Sequence, residues 1–194
     1  YFRAQQEEKY KVITAFNSFH GRSLATLAAT GQEKYHKPFQ PVPSGFKFVP
    51  FNDLAAVEEA IDEQTAAVMV EPVQGEGGVY PAREEYLQGL RKICNQHNIL
   101  LIFDEIQCGM GRTGTLFAYE QYGVEPDILT LAKALGGGVP VGAFLAKAEV
   151  ADSFEPGDHG STFGGNHLAT RAAYTTITTM LEENVLENVR EMGD

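Results

Sequence analysis

Short apolar runs alternate along the chain with stretches in which apolar residues recur every three or four positions. The runs at 12–16 (VITAF), 46–51 (FKFVPF), 66–72 (AAVMVEP), 99–105 (ILLIFDE), 127–132 (DILTLA) and 141–146 (VGAFLA) have the length of strands. Most are apolar throughout, the pattern of strands covered on both faces. Residues 53–63, 82–98 and 168–184 carry the helical pattern. In the second of these, Tyr86, Leu90, Ile93 and His97 recur at helical spacing, Leu87 and Cys94 lie beside them, and the charges fall elsewhere. That face is expected to pack on a sheet, taking His97 and Cys94 with it. Repeated strand, helix and strand predict an α/β layered fold with a largely parallel sheet flanked by helices. Residues 31–45 read as one long loop punctuated by Pro and Gly, 1–11 as the last turns of a helix entering a strand, and 180–194 as a further helical pattern.

Composition narrows the function classes. A chain of 194 residues with 43% hydrophobic content can bury one sizeable core. Fifteen basic against 26 acidic side chains give a net charge of −11, which argues against nucleic acid or an anionic membrane as partner. No apolar run approaches the roughly 18 residues of a membrane span, and the first residues lack a signal-peptide core. A cytoplasmic protein is therefore expected. Cys94 and Cys108 lack metal-ligand spacing and read as reduced thiols, and no metal site is expected.

In open α/β sheets ligands gather at the carboxyl ends of strands, and polar residues crowd those positions. ILLIF runs into Asp104, Glu105, Ile106 and Gln107; AAVMV runs into Glu71; DILTLA runs into Lys133. Each alone has an ordinary reading, as a helix-capping carboxylate or a surface lysine. Lys133 differs from Lys147, which also follows a strand, because it precedes three glycines that let backbone approach a ligand closely. An apolar, small-residue setting predicts a buried amine, and burial favours the neutral form that attacks a carbonyl. Pyridoxal phosphate uses such a lysine together with an acid that keeps its ring nitrogen protonated. Asp104 suits that acid, and Gln107 suits an uncharged donor to the ring's phenolate oxygen. FHGRS (19–23) adds an aromatic ring, Phe19, and Arg22, whose fork matches a carboxylate. HGSTFGGN (159–166) adds hydroxyls among glycines, a composition suited to phosphate.

The ordered set FHGRS, VEPVQGEGG, FDEIQCGMGRTG, LAKALGGG and HGSTFGGN resembles the class III aminotransferases of fold type I. Within them it is most similar to the members that act on N-acetylornithine. The resemblance covers essentially the whole chain. It implies the large, pyridoxal-phosphate-binding domain of such an enzyme, with residues 1–194 forming part of it. A preceding phosphate loop and a following small domain are expected to lie outside these residues, which alone are expected not to turn over. The resemblance implies that Lys133 carries the cofactor, Asp104 holds the pyridine nitrogen, Gln107 the phenolate oxygen and Phe19 stacks on the ring, with Glu105 and Ile106 among the cofactor-binding residues. It also implies that Arg22 binds the substrate α-carboxylate. Ser161 is placed near substrate and Thr162 on the phosphate across a homodimer interface. Glu76 matches a glutamate that pairs with an arginine of the small domain. The implied reaction moves the terminal amino group of N-acetylornithine to 2-oxoglutarate. Another class III activity, on ornithine or 4-aminobutyrate, and a catalytically inactive domain keeping the same fold are the alternatives. One departure stands out: His167 follows GGN where the family usually has proline, so an effect on a loop or helix start is expected.

Overall fold

The computed structural model describes residues 1–193. In chain order the elements are β1 (Lys11–Ala15), α1 (Leu24–Ala29), α2 (Glu33–His36), β2 (Phe46–Val49), α3 (Leu54–Ala60), β3 (Thr65–Val70), the short strands β4 (Val73–Gln74) and β5 (Tyr80–Pro81), α4 (Glu84–His97), β6 (Leu100–Asp104), β7 (Ile128–Leu131), β8 (Ala143–Ala146), α5 (Ala148–Ala151), α6 (His167–Glu182) and α7 (Val185–Gly193). Six strands form one sheet in the order β2-β1-β3-β6-β7-β8. All neighbours run parallel except β7 and β8. Each of the six expected strands is present, and the α/β class with its mostly parallel sheet is the one the pattern predicts.

Helix α4 buries Tyr86, Leu87, Leu90, Ile93 and Cys94 against β3 and β6, whose Val68, Val70, Leu101 and Phe103 close the core. Each such side chain contributes about 1.5–3 kcal/mol by leaving water. His97 is exposed, contrary to expectation, because the helix ends there: Asn98 takes the left-handed conformation (φ 49°) and turns the chain towards β6. The Asp53 side chain accepts from the Ala56 N–H and so caps α3.

Covering of the sheet is uneven. Along β3 and β6, fully buried residues alternate with half-buried ones such as Met69 and Ile102. Helices α3 and α4 cover one face. The other, with Val12, Ala66, Leu100, Ile102 and Ile128, forms an apolar cleft beside Phe2, Val150 and Phe154. The expectation of strands buried equally on both faces is therefore corrected.

Local backbone explains the other differences. Residues 2–6 make turns instead of a helix, and Gln6, at φ 62°, ends them. The helical pattern from residue 180 is broken at Asn184 (φ 54°), which separates α6 from α7. The supposed loop at 31–45 contains α2 and a 3-10 turn, Lys37–Phe39. His167 is the first residue of α6, capped by Asn166 through the Ala169 N–H at 3.0 Å. This is the position where proline's fixed φ is favoured, so the departure falls on a helix start.

Candidate active site

Parallel strands deliver their following loops to one edge of the sheet. Asn17 to His20 follow β1, Glu71 follows β3, Asp104 ends β6, and Lys133 follows β7. Asp104 is in register with Thr130 of β7, so the aspartate and the lysine leave neighbouring strands on the same side.

Asp104 is 3% exposed. Its Oδ1 accepts from the Ile106 N–H at 3.1 Å, and its Oδ2 lies 2.8 Å from His20 Nδ1. A carboxylate acceptor fixes the tautomer, with the proton on Nδ1. The loop after β1 is also held from β3, because the Phe19 N–H donates to Glu71 Oε2 at 3.1 Å. Glu105 turns elsewhere: its two oxygens accept from the Ala118 and Tyr119 N–H groups, each at 2.7 Å. Its side chain thus fastens the segment between β6 and β7, and no contact of its carboxylate with the cleft is observed.

Burial pushes the Glu71 carboxyl up from an ordinary 4.5 to about 7, with Asp104 acting in the same direction against His20 and the Phe19 N–H. Burial likewise pushes Glu105 up to about 7, against its two N–H bonds. Groups whose folded pKa is raised bind more protons folded than unfolded, so their contribution is complete at low pH and lost as pH climbs through the folded value. Unfolding free energy should therefore decline between about pH 5 and pH 7, by at most about 1.4 kcal/mol per pH unit for each group. Urea titrations across that window test this, and Glu71→Gln should flatten the slope.

Lys133 opens a 3-10 turn, Lys133–Gly136, in a left-handed conformation with φ 47°. Its side chain lines a cleft of about 470 Å³ with Gly75, Ile106, Gln107 and Thr113. Contrary to expectation, Lys133 is exposed, because the turn lifts it off the strand end into this open cleft. Gly75 makes room for Gln107: a Cβ at Gly75 would stand 1.2 Å from the Gln107 Oε1. Lys147, by contrast, pairs with Asp127 at 3.0 Å at the start of α5.

Arg22, Phe19 and Glu76 form a second cluster on the same side. The Arg22 guanidinium lies 4.2 Å from the centroid of the Tyr35 ring and 5.4 Å from that of Phe19. Glu76 Oε2 accepts from Gln32 Nε2 at 2.6 Å, and Oε1 accepts from the Tyr35 hydroxyl at 2.5 Å. Ser161 and Thr162 are exposed and do not line the Lys133 cleft; Ser161 Oγ accepts from the Gly164 N–H at 3.0 Å.

Three residues of this constellation escape sequence reading. His20 sits inside FHGRS, where a histidine beside the expected stacking ring was the available signal. Gln32 and Tyr35 lie in a stretch whose Pro and Gly punctuation hides α2, and no periodicity marks them. Among the described residues no group of three or more His, Cys, Asp or Glu is placed to hold a metal ion. Among the described residues no helix is long and apolar enough to cross a membrane.

Comparison with known proteins gives the family of the chain. The family model described as aminotransferase class-III matches residues 1–194. The acetylornithine aminotransferase of Methanocaldococcus jannaschii is 57% identical over 183 residues, 94% of this chain and 46% of that protein. That of Caldanaerobacter subterraneus subsp. tengcongensis is 54% identical over 186 residues, 96% of this chain and 47% of that protein. The chain thus spans about half the length of the curated relatives it matches. Among solved structures, the ornithine aminotransferase of Toxoplasma gondii superposes with a TM-score of 0.94 at 38% identity, over 99% of this chain and 47% of that one. An amine transaminase from an uncultivated Pseudomonas species, solved in its PLP-bound form, gives 0.93 at 29% identity, over 99% and 50%. A matching model over the full chain, and relatives this similar, have one reading: the chain belongs to the class-III aminotransferase family.

Proposed function

We propose that this chain supplies the cofactor-holding part of a pyridoxal-phosphate-dependent aminotransferase moving the terminal amino group of N-acetylornithine to 2-oxoglutarate. The observation that carries the reading is the shared cleft of Lys133 and Gln107, kept open at Gly75, beside a buried Asp104 fixed from two directions. An amine, an amide and a carboxylate at one sheet edge fit the chemistry of this cofactor, and the 57% identity to an acetylornithine aminotransferase favours the substrate. When bound, the cofactor supplies an aldehyde that condenses with amines and a ring that accepts electron density.

In this reading Lys133 would anchor the cofactor, and its amine would move a proton to and from the substrate carbon. Asp104 holds the ring nitrogen, its charge kept in place by His20 and the Ile106 N–H. Gln107 donates to the phenolate oxygen, and Phe19 packs on the ring. Arg22 takes the substrate α-carboxylate bidentately, while Glu76 meets the part of the substrate beyond the reacting centre. The exposure of Ser161 and Thr162 suits a role in the partner protomer's site within a homodimer. A cytoplasmic setting suits the two buried free cysteines.

Arg22→Lys tests the substrate reading in the complete protein carrying this chain. Loss of the fork should raise KM for N-acetylornithine roughly tenfold, about 1.4 kcal/mol, and leave the cofactor's visible absorption unchanged. Glutamate formation is the assay. An equal loss for amine donors that lack a carboxylate overturns the role of Arg22.

A further inference from the structure

The loop between β1 and α1 carries Phe19 and leaves the strand through Asn17, whose backbone is left-handed at φ 63°. The segment 71–77 grips this loop at three successive points. The Gln74 side chain, 2% exposed, donates from Nε2 to Phe16 O at 3.0 Å. Gly77 runs so close that a Cβ there would stand 2.3 Å from Asn17 O. Glu71, 5% exposed, accepts the Phe19 N–H at 3.1 Å. All three contacts fall on main-chain atoms of the loop. The gripping segment is itself braced: Gln74 pairs with Tyr80 across β4 and β5, and the second Glu71 oxygen accepts from the Gly75 N–H at 3.4 Å. Gly75 in turn stands against the Gln107 amide, so one short segment touches both the loop of Phe19 and the side chain of Gln107. Neither Gln74 nor Glu71 lines the Lys133 cleft. Burying an amide and a carboxyl is costly unless their hydrogen bonds are made, and the bonds made here are spent on backbone.

We propose that Gln74 and Glu71 are positioning residues that hold the Phe19 loop where its ring meets the cofactor, so that one segment places both Phe19 and Gln107. Main-chain contacts fix the course of the loop and leave its side chains free to face a ligand. Ordering the loop beforehand also leaves less entropy to lose when the cofactor binds. The proposal rests on the reading above in that Phe19 is taken to pack on the cofactor ring.

The test reads cofactor affinity without turnover. The probe is pyridoxamine 5′-phosphate, which carries an amine in place of the aldehyde and so cannot condense with Lys133. Titration of the complete protein should show Phe19→Ala binding it roughly tenfold more weakly, the upper end of what one aromatic stack contributes. Gln74→Met and Glu71→Ala should each weaken binding roughly fivefold, the scale of one hydrogen bond and less than the contact they position. Glu71→Gln, which keeps an acceptor for the Phe19 N–H, should stay within about twofold of the parent. In the Phe19→Ala background Gln74→Met should change affinity by less than about twofold, because no ring is left to position. Amide exchange of residues 17–20 in the cofactor-free protein should quicken in Gln74→Met and Glu71→Ala. Losses that add in full to that of Phe19→Ala mean a merely structural role and overturn the proposal, as do unchanged affinity or unchanged exchange in Gln74→Met. A parent protein that fails to bind the probe, or a Phe19→Ala variant that binds it equally well, overturns the cofactor reading itself, and the two failures are thereby told apart.

Discussion

Lys133→Ala should abolish amino-group transfer, slowing turnover by about 10³-fold or more, while the fold persists. A positioned acid–base group accounts for about 10²–10⁴-fold, and loss of the covalent anchor adds to it. The surroundings single this lysine out. Among the described residues Lys133 forms no ion pair, as Lys34 and Lys92 also do not, but it alone of the lysines lines the cleft with Gln107. Its side chain is exposed, so truncation removes no core contact, and thermal unfolding should shift little. Borohydride reduction of the cofactor-loaded protein, followed by peptide mapping, should place the adduct on Lys133 and find none there in the variant. An adduct on Lys147 sinks the assignment.

Asp104→Asn should slow turnover by about 10²–10³-fold, the range lost when one preorganised electrostatic partner is removed. Asparagine keeps the size of the side chain and can still accept from the Ile106 N–H. What disappears is the charge against which His20 Nδ1 is set. Cofactor uptake should survive, because Lys133 and Gln107 are untouched, while the absorption band of the bound cofactor should move as its ring loses an ionic partner. His20→Gln should have a smaller effect in the same direction. Turnover within threefold of the parent in Asp104→Asn would rule out an electrostatic role for this carboxylate.

Strand positions were legible because each pays its way in buried apolar area, and a run such as ILLIF has no competing arrangement that hides it from water. Asp104, Gln107 and Lys133 were legible for the same reason, since they mark where those runs stop. Exposure was not legible. The glycines after Lys133 suggested burial, but they permit the turn that lifts the side chain into the cleft. The α2 segment was hidden because four residues show no periodicity, and its two partners of Glu76 act through contacts 41 and 44 residues apart in sequence. His97 was misplaced because helical spacing says which face a residue occupies, not where the helix ends. The even apolar character of β3 and β6 likewise says that both faces avoid water, without saying how closely each is packed.

The left-handed backbone at Lys133 sets stability against the chemistry proposed for this residue. A non-glycine residue held at φ 47° costs on the order of 1–3 kcal/mol, which the rest of the fold must absorb. Glycine would relieve that strain, and drift under selection for stability alone would favour it, extending the glycine run that follows by one residue. A lysine stands at a place where its backbone is disfavoured and its side chain makes no ion pair among the described residues. Relaxing the backbone at Lys133 by substitution would therefore remove the amine proposed to anchor the cofactor, so thermostable variants should be sought elsewhere in the chain.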